Sequence, residues 1–200
     1  MFKLENFSQS NKDIFYRYLK DQALNSKDIA AKNMWDESKS KSSLVYILEN
    51  TDRFLYPNGE FNILFYNSLI VGCAGVYKSL FSNEIALAGT RAWLSKEFRN
   101  KHILREYFLP NHKLWAKMNY CKAVALCFNE YNKSLIKVFK RTRLGESSSR
   151  VNFKEPKHLF YNGICEIDFP VIIQHTKQYV IYEKLDTNFM FDWQLIKYNN

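Results

Sequence analysis

The chain has 200 residues, 46% of them hydrophobic and 24% charged, a composition that suits one globular domain with a real core. Only six glycines and four prolines are present, which excludes collagen-like and linker-dominated chains, and no apolar run reaches the roughly 18 residues that a membrane helix needs. The net charge of +9 favours anionic partners such as nucleic acid, phosphorylated cofactors or acidic surfaces.

The amino-terminal stretch MFKLENFSQSNKD lacks the apolar segment and the small-residue cleavage site of a secretory signal. We therefore expect a soluble, cytoplasmic protein that does not associate with membranes. The four cysteines show no C-x-x-C spacing, and the histidines show no H-x-x-x-H or H-x-E spacing. These spacings predict buried free thiols and no metal site.

The first part of the chain is predicted to be mainly helical. After a short apolar strand at residues 1–4, a helix is expected over about residues 10–22, with Ser10 as its N-cap. A second helical region is expected from about residue 26 to about Asn50, with a break at Ser38–Ser43. The sequence Pro57-Asn58-Gly59 then gives a clear turn signal.

Three strands in succession are predicted after this turn. They cover Phe61–Tyr66, Leu69–Leu80 and Ile85–Leu94, with turns at Asn67-Ser68 and at Ser82-Asn83. Such short connections predict antiparallel hairpins.

The segment that follows is predicted to alternate between helix and strand. Residues 95–101 lead into a helix that Pro110 should kink or split, because proline lacks an N–H group and its ring clashes with the preceding turn. A buried strand at Ala123–Phe128 and a short helix through about Arg141 follow. A strand, helix, strand order places the two strands parallel and adjacent.

Two further strands are predicted at His158–Ile167 and Val171–Leu185. The tail, residues 186–200, carries apolar residues at alternate positions between Phe189 and Leu195. We expect it either to pack as an extra strand or to cover a partner subunit in a homodimer.

The segment between residues 92 and 139 carries the most informative pattern. A strand that ends at Ala92-Trp93-Leu94 leads into Arg99-Asn100-Lys101-His102-Ile103-Leu104 and then a helix, and Asn132 later precedes a second helix that contains Phe139. This order resembles the GNAT acyl-CoA N-acyltransferases, in which the motif R/Q-x-x-G-x-G/A joins a strand to a helix. The order of elements covers most of the chain, whereas the matching motifs lie within about fifty residues.

The resemblance implies one α+β domain over residues 1–200, with a mixed, mostly antiparallel central sheet of about seven strands flanked by helices. It implies acetyl-CoA or another acyl-CoA as cosubstrate, entering between the fourth and fifth strands, and an amine as acceptor. The implied cofactor-binding residues are Ala92, Trp93 and Leu94 for the pantetheine arm, Arg99, Asn100, Lys101, His102, Ile103 and Leu104 for the pyrophosphate, and Asn132 near the thioester.

A loop that feeds the start of a helix suits a pyrophosphate for a general physical reason. The first N–H groups of a helix have no partner within it, and the helix dipole is positive at that end. Arg99 and Lys101 would add positive charge. The two family glycines are replaced by His102 and Leu104, and Leu104 brings bulk to the place where the ligand would lie.

The chemistry implied by the resemblance needs a proton donor for the departing thiolate. The family commonly uses a tyrosine, and the matching place here is Phe139, which has no hydroxyl group. Tyr131 or Cys127, beside the end of the preceding strand, would take that role, and we name Tyr131 as the catalytic candidate.

Arg91 alternates with apolar or small residues along its predicted strand. Either it binds the substrate as a clamp for a carboxylate, or the strand end is exposed and the side chain extends into solvent. Gly72 and Gly75 mark a bulge, a close approach of the backbone to a ligand, or tight packing of a helix, and packing is favoured.

The function that we predict is transfer of an acyl group, acetyl in the simplest case, to a small-molecule or peptide amine. One alternative is a non-catalytic GNAT-like binding protein that has lost its glycines and its tyrosine. The other is a basic accessory protein that binds nucleic acid through its net charge of +9, and this partner is not favoured.

Overall fold

The computed structural model describes most of the chain up to residue 129 and short segments after it. The described residues are 1–25, 29–38, 43–50, 52–79, 82–129, 157–160, 177–186 and 188. None of the helices they form is both long and apolar enough to cross a membrane. The chain groups into two compact units, one made of Met1–Tyr77 with Gly89–Trp115 and the other of Lys78–Ala88 with Ala116–Asn200. That residues 1–200 form one domain stays a prediction.

Strands β1 to β4 supply the sheet of the first unit. They are β1 (Phe2–Asn6), β2 (Gly59–Tyr66), β3 (Leu69–Ser79) and, for its second half, β4 (Ser82–Leu94). β2 pairs antiparallel with both β1 and β3, and β4 lies beside β3. The predicted amino-terminal strand and the hairpin of β2 and β3 are confirmed.

The hairpin turn has the conformation that its sequence predicts. Asn67 and Ser68 form the two-residue loop with φ angles of 48° and 66°. A left-handed conformation at both central residues matches the twist of the flanking strands. The register shifts after Leu64, which leaves Val71 of β3 as a β-bulge.

Helix α1 covers Lys12–Asn25, so it begins and ends later than the predicted residues 10–22. Asn11 takes the capping position that we predicted for Ser10, because its carbonyl accepts the first helical hydrogen bond and its side-chain amide donates to the carbonyl of Asn6 at 2.8 Å. The Ser10 hydroxyl bonds another serine hydroxyl instead. Ser10 as N-cap was therefore wrong.

The second helical region is broken where the sequence predicts it. Helix α2 covers Ile29–Met34 and helix α3 covers Leu44–Asn50. The hydroxyl of Ser43 caps α3 by accepting the N–H of Tyr46 at 3.0 Å. A 3₁₀ turn at Asp52–Phe54 follows.

An aromatic cluster fills the space between the helices and one face of the sheet. Phe61 lies 5.8 Å from Phe15 of α1 and 5.2 Å from Phe54, and Phe54 lies 5.3 Å from Tyr77, all between ring centroids. Each such burial contributes about 1.5 to 3 kcal/mol. A side chain at Gly75 would meet Phe54 and Phe61, so the packing reading of this glycine is confirmed.

The chain leaves β4 through a 3₁₀ turn at Lys96–Phe98 and becomes helical at residue 103. Leu104–Phe108 forms a π-helical turn, and helix α4 covers Leu109–Met118. Of the two outcomes predicted at Pro110, a split is wrong, because the helix continues through it, and a kink stays a prediction. The wider π turn accommodates the proline ring, which would clash with the carbonyl four residues earlier in a regular α-helix.

The second unit contains the first half of β4 and three more strands. They are β5 (Ala123–Asn129), β6 (Lys157–Phe160) and β7 (Lys177–Lys184). β4 pairs parallel with β5, as the strand, helix, strand order predicted. β7 pairs antiparallel with both β5 and β6, so the order within this unit is β4, β5, β7, β6.

The turn predicted at Ser82-Asn83 was wrong, because both residues belong to β4. The start of this strand is held by the chain before β5: the N–H of Lys122 donates to the carbonyl of Glu84 at 2.7 Å, and their side chains form an ion pair. The predicted helix through Arg141, residues 161–176 and most of the tail lie outside the described residues.

The fold class is confirmed as mixed α+β, with a mostly antiparallel sheet flanked by helices. Seven strands lie within the described residues, and four of the five registered strand pairs there are antiparallel.

Gly59 lies in tight packing, so we expect that even the addition of one methyl group there lowers the stability of the fold. A Cβ there would meet the carbonyl oxygen of Arg53 and, at 2.6 Å, the Cβ of Tyr77. We expect Gly59→Ala to lower the free energy of unfolding by about 2 to 3 kcal/mol, measured by urea denaturation. Ser68→Gly is the control, because its φ of 66° already suits glycine and its stability should be unchanged or higher. An unchanged midpoint for Gly59→Ala would contradict this packing.

Candidate functional site

Strand β4 is interrupted in its second half by two left-handed residues. Gly89 has φ 65° and Arg91 has φ 51°. A residue with a side chain costs about 1 to 2 kcal/mol in this conformation, so its surroundings must hold it there. Thr90 between them anchors the strand by donating its hydroxyl to the carbonyl of Gly75 at 2.9 Å.

His112 of α4 holds the other side of this irregular segment. The N–H of Gly89 donates to Nδ1 of His112 at 3.2 Å, and Nε2 of His112 lies 3.0 Å from Oδ1 of Asn62. Since Nδ1 accepts a hydrogen bond, the ring proton lies on Nε2 and is donated to Asn62. The side chain is fully buried, and burial lowers its pKa from 6.5 to about 3. His112 is therefore a neutral imidazole at working pH.

Asn62 of β2 lies at the centre of this buried polar network. Its amide donates to Oδ1 of Asn6 at 2.8 Å and to a carboxylate oxygen of Glu60, and its own oxygen also accepts from Asn111 at 3.3 Å. Every donor and acceptor of the side chain is thus used. The network ties β1, β2, the helix and the irregular part of β4 together.

Sequence reasoning missed this network. The signal was present, because Asn62 interrupts the apolar run from Phe61 to Phe65 and a polar group at a buried strand position needs a partner. His112 was weighed only as a metal ligand. Within the described parts of the chain, no group of three or more His, Cys, Asp and Glu side chains is placed to hold a metal ion.

The end of β4 carries the three residues expected to contact a pantetheine arm. Ala92 is exposed, Trp93 is buried and Leu94 packs partly into the core. Gly72 of β3 allows close approach here, because a Cβ would lie 2.8 Å from the carbonyl oxygen of Trp93. The close contact at Gly72 is therefore with strand β4 and not with a helix.

Arg99 is held against the end of this strand. Its guanidinium lies 4.3 Å from the centre of the Trp93 ring, and Nε donates to the carbonyl of Leu94 at 2.9 Å. The hydroxyl groups of Tyr18 and Ser95 are 2.6 Å apart on the same stretch. These contacts fix the entry to the loop, whereas Lys101 is exposed and lies 5.4 Å from the Phe98 ring.

The loop adopts a glycine-like backbone without glycine. His102, at the first family glycine, has φ 58°, and Asn100 has φ 61°. The helix begins directly afterwards, and the N–H of Glu106 donates to the carbonyl of His102 at 2.9 Å. The N–H groups of residues 103–105 precede that first bond, so they lie at the positive end of the helix dipole.

Leu104 occupies the place of the second family glycine. Its side chain is half-buried and packs against a core cluster that includes Leu64, Val71 and Ile103. This contact removes part of the apolar side chain from water, which lowers the free energy of the folded chain.

The remaining predicted site residues divide into two groups. Arg91 is partly buried, and its pKa is lowered by burial, so the reading as an exposed strand end does not hold. Tyr131, Asn132 and Phe139 lie outside the described residues, and their roles stay predictions.

Of the four cysteines, Cys73 and Cys121 are buried free thiols, as predicted, and burial raises the pKa of both.

Comparison with known proteins identifies the fold. An acetyltransferase of the GNAT family from Staphylococcus aureus superposes with a TM-score of 0.60 at 14% identity, covering 93% of this chain and 100% of that chain. An acetyltransferase from Salmonella typhimurium with acetyl-CoA has a TM-score of 0.58 at 9% identity, covering 96% of this chain and 98% of that chain. The described chain has the fold of the GNAT acetyltransferases.

A further similar structure is that of a polyamine acetyltransferase. The spermidine N-acetyltransferase from Vibrio cholerae, in complex with CoA and spermine, has a TM-score of 0.55 at 12% identity, covering 92% of this chain and 95% of that chain. No protein-family profile matches the chain, and no curated protein sequence matches it.

The buried His112 makes stability depend on pH. Between pH 6.5 and about 3 the unfolded chain binds a proton that folded His112 excludes, so stability falls as the pH is lowered through this window, by up to about 1.4 kcal/mol per pH unit. We expect His112→Asn to flatten this slope in urea unfolding between pH 7 and pH 4. His102→Asn is the control. It replaces an exposed histidine, and asparagine tolerates the left-handed backbone, so the dependence of stability on pH should be that of the wild type. Equal slopes in all three proteins would show that His112 does not titrate as its burial requires.

Proposed function

We propose that the protein is an acyl-CoA-dependent N-acyltransferase that transfers an acyl group, acetyl in the simplest case, to an amine. The fold supports this proposal, because superposition extends over at least nine-tenths of this chain and of the acetyltransferases compared. Solved structures with this fold contain acetyl-CoA or CoA. The observation that carries the proposal is the left-handed His102 at the place of the first family glycine.

The loop fits a pyrophosphate in two respects. The N–H groups of residues 103–105 are supplied by the backbone, so replacing glycine by other residues leaves them in place. We propose that Leu104, whose half-buried side chain packs against the core cluster, leaves the anion-facing side of the loop open. The exposed Lys101 would add charge at the rim.

The main chain of Ala92, Trp93 and Leu94 would bind the pantetheine arm beside the second half of β4. His112 fixes Gly89 just upstream, so the direction of this strand end is set by a buried hydrogen bond. We propose that Asn132 lies near the thioester, as the resemblance implies. Acetyl-CoA would supply an activated acyl group, and the residues of this chain would orient it.

Transfer to an amine requires the amine nitrogen to lose a proton and attack the thioester carbonyl, after which the carbon–sulfur bond breaks and the thiolate takes up a proton. We propose the Tyr131 hydroxyl as the donor of that last proton. The Tyr131 hydroxyl would donate this proton, whereas Phe139, at the position of the family's tyrosine, has no hydroxyl group.

The loop can be tested with two substitutions at one position. His102→Gly and His102→Val both remove the imidazole, but glycine suits φ 58° and the β-branched valine does not. We expect His102→Gly to bind acetyl-CoA as tightly as the wild type or more tightly, and His102→Val to bind about tenfold more weakly, because about 1.4 kcal/mol of backbone strain corresponds to a tenfold change in affinity. Isothermal titration calorimetry with acetyl-CoA measures both.

The outcomes separate the proposal from its alternatives. Failure of the folded wild type to bind millimolar acetyl-CoA would overturn the proposed function and favour a non-catalytic protein of this fold. Equal affinity of both variants would reject the backbone role of His102. If the protein does not bind acetyl-CoA but binds DNA or RNA with an affinity that falls steeply with salt concentration, the nucleic-acid alternative would be favoured.

The proposed proton donor has its own test. We expect Tyr131→Phe to lower kcat by about 10² or more, as loss of a general acid does, without changing the affinity for acetyl-CoA. Release of the CoA thiol with an active amine measures the rate. Tyr120→Phe is the matched control, since Tyr120 is 89% exposed. An unchanged kcat for Tyr131→Phe would remove this residue from the mechanism.

A further inference from the structure

Strand β1 forms one edge of the sheet in the first unit. It pairs with β2 on one side, and among the described residues no strand lies on its other side. An exposed edge strand offers a row of unpaired N–H and C=O groups to any other strand. The backbone and the side chains of β1 therefore determine which strand can add there.

The backbone hydrogen bonds show which groups of β1 point away from the sheet. The N–H of Phe7 donates to the carbonyl of Phe61 at 2.6 Å, and the N–H of Asn67 donates to the carbonyl of Met1 at 3.3 Å. In an antiparallel ladder every second residue bonds to the same neighbour, so the odd-numbered residues of β1 bond to β2. The residues whose N–H and C=O groups point outward are Phe2, Leu4 and Asn6.

Most of these outward groups are available to a further strand. Within the part of the chain that the structure describes, the N–H and the carbonyl of Leu4 have no hydrogen-bond partner. The carbonyl of Asn6 differs, because it accepts the side-chain amide of Asn11 at 2.8 Å. That oxygen has a second lone pair, and the bond leaves the N–H of Asn6 unused. The edge can therefore form a short ladder centred on Leu4.

Two opposite charges lie side by side on this edge. Lys3 and Glu5 share one face of β1, with Nζ of Lys3 2.7 Å from Oε1 of Glu5, and their side chains are 73% and 34% exposed. The other face carries Phe2 and Leu4, which pack partly against the core cluster that contains Leu64. An incoming strand would therefore meet one positive and one negative charge on one face and apolar residues on the other.

A second copy of β1 matches this pattern in one antiparallel register. When Leu4 lies opposite Leu4 of the second copy, Lys3 of each copy lies opposite Glu5 of the other. These charge pairs occupy the positions without backbone hydrogen bonds, where facing side chains are closest and opposite charges stabilise the ladder. A shift of two residues in either direction would place Lys3 opposite Lys3 or Glu5 opposite Glu5, which is destabilising.

We propose that the protein forms a two-fold dimer in which the β1 strands of two copies pair antiparallel and join the sheets of their first units. Each Leu4 N–H would donate to the carbonyl of the other Leu4, and each Asn6 N–H to the carbonyl of Phe2 across the interface. Such an interface closes after two copies. The strand has five residues, far fewer than the roughly 20 to 30 a side of a standard interface, so we expect a weak dimer that depends on protein concentration.

Exchange of the two charges tests the register. Sedimentation velocity measures dimer formation by the full chain, from micromolar to millimolar concentration, as wild type, Lys3→Glu and Glu5→Lys. We expect each single variant to dimerise about tenfold more weakly than the wild type, because it places like charges across the ladder. The double variant Lys3→Glu/Glu5→Lys restores opposite charges across the ladder, so it should dimerise as the wild type does.

A mixture of the two single variants gives a sharper result. One chain then carries two acidic and the other two basic side chains at these positions, so we expect a heterodimer at concentrations where each variant alone is monomeric. Lys20→Glu is the matched control, because Lys20 is exposed on α1 and the reversal of its charge should leave the dimer unchanged.

Amide hydrogen exchange reports the backbone contact directly. The N–H of Leu4 points away from β2, so we expect it to exchange rapidly in the monomer and to be protected in the dimer. The N–H of Glu5, which is directed at β2, should be protected in both. In Lys3→Glu at the same concentration, the Leu4 amide should again exchange rapidly.

Several outcomes would overturn the dimer. They are a wild type that is monomeric at every concentration, a dimer that both single variants retain at full strength, and a Leu4 amide that exchanges rapidly within the dimer. Absence of acetyl-CoA binding would overturn the proposed function and leave the dimer standing, because the pairing of β1 strands involves no cosubstrate.

Discussion

The hydrogen bond from Gly89 to a buried, neutral His112 is the contact on which the rest of the site depends. It satisfies an N–H group at the point where β4 leaves regular strand geometry, and Asn62 fixes the ring from the other side. A protonated imidazole would place two donors face to face at Gly89, and a missing imidazole would leave a buried N–H without a partner, at a cost of about 1 to 3 kcal/mol.

The loop after β4 shows that a backbone shape can persist when its usual residues are lost. Asn100 and His102 stay left-handed although only glycine adopts that conformation at no steric cost. Arg99, anchored on Trp93, fixes one end of the loop, and Ile103, buried in the core, fixes the other. Local strain of about 1 to 2 kcal/mol per residue is small beside the apolar burial that flanks it.

Local signals in the sequence were enough for most of the fold. The Asn67-Ser68 turn and the parallel pairing of β4 with β5 follow from short-range patterns, and both were predicted correctly. The site required partners that the sequence separates, since Asn62 and His112 are 50 residues apart. The wrong turn at Ser82-Asn83 has the same origin, because the start of β4 is held by the N–H of Lys122, a residue far along the chain that binds the carbonyl of Glu84.

At the helix start after β4, backbone N–H groups and the helix dipole would hold a phosphate, so side-chain changes would act there mainly through the shape of the loop. Most of the net charge of +9 cannot substitute for this arrangement, because salt screens the attraction of exposed charges beyond about 10 Å. Binding of a pyrophosphate at the loop would therefore persist at salt concentrations that abolish attraction to the surface as a whole.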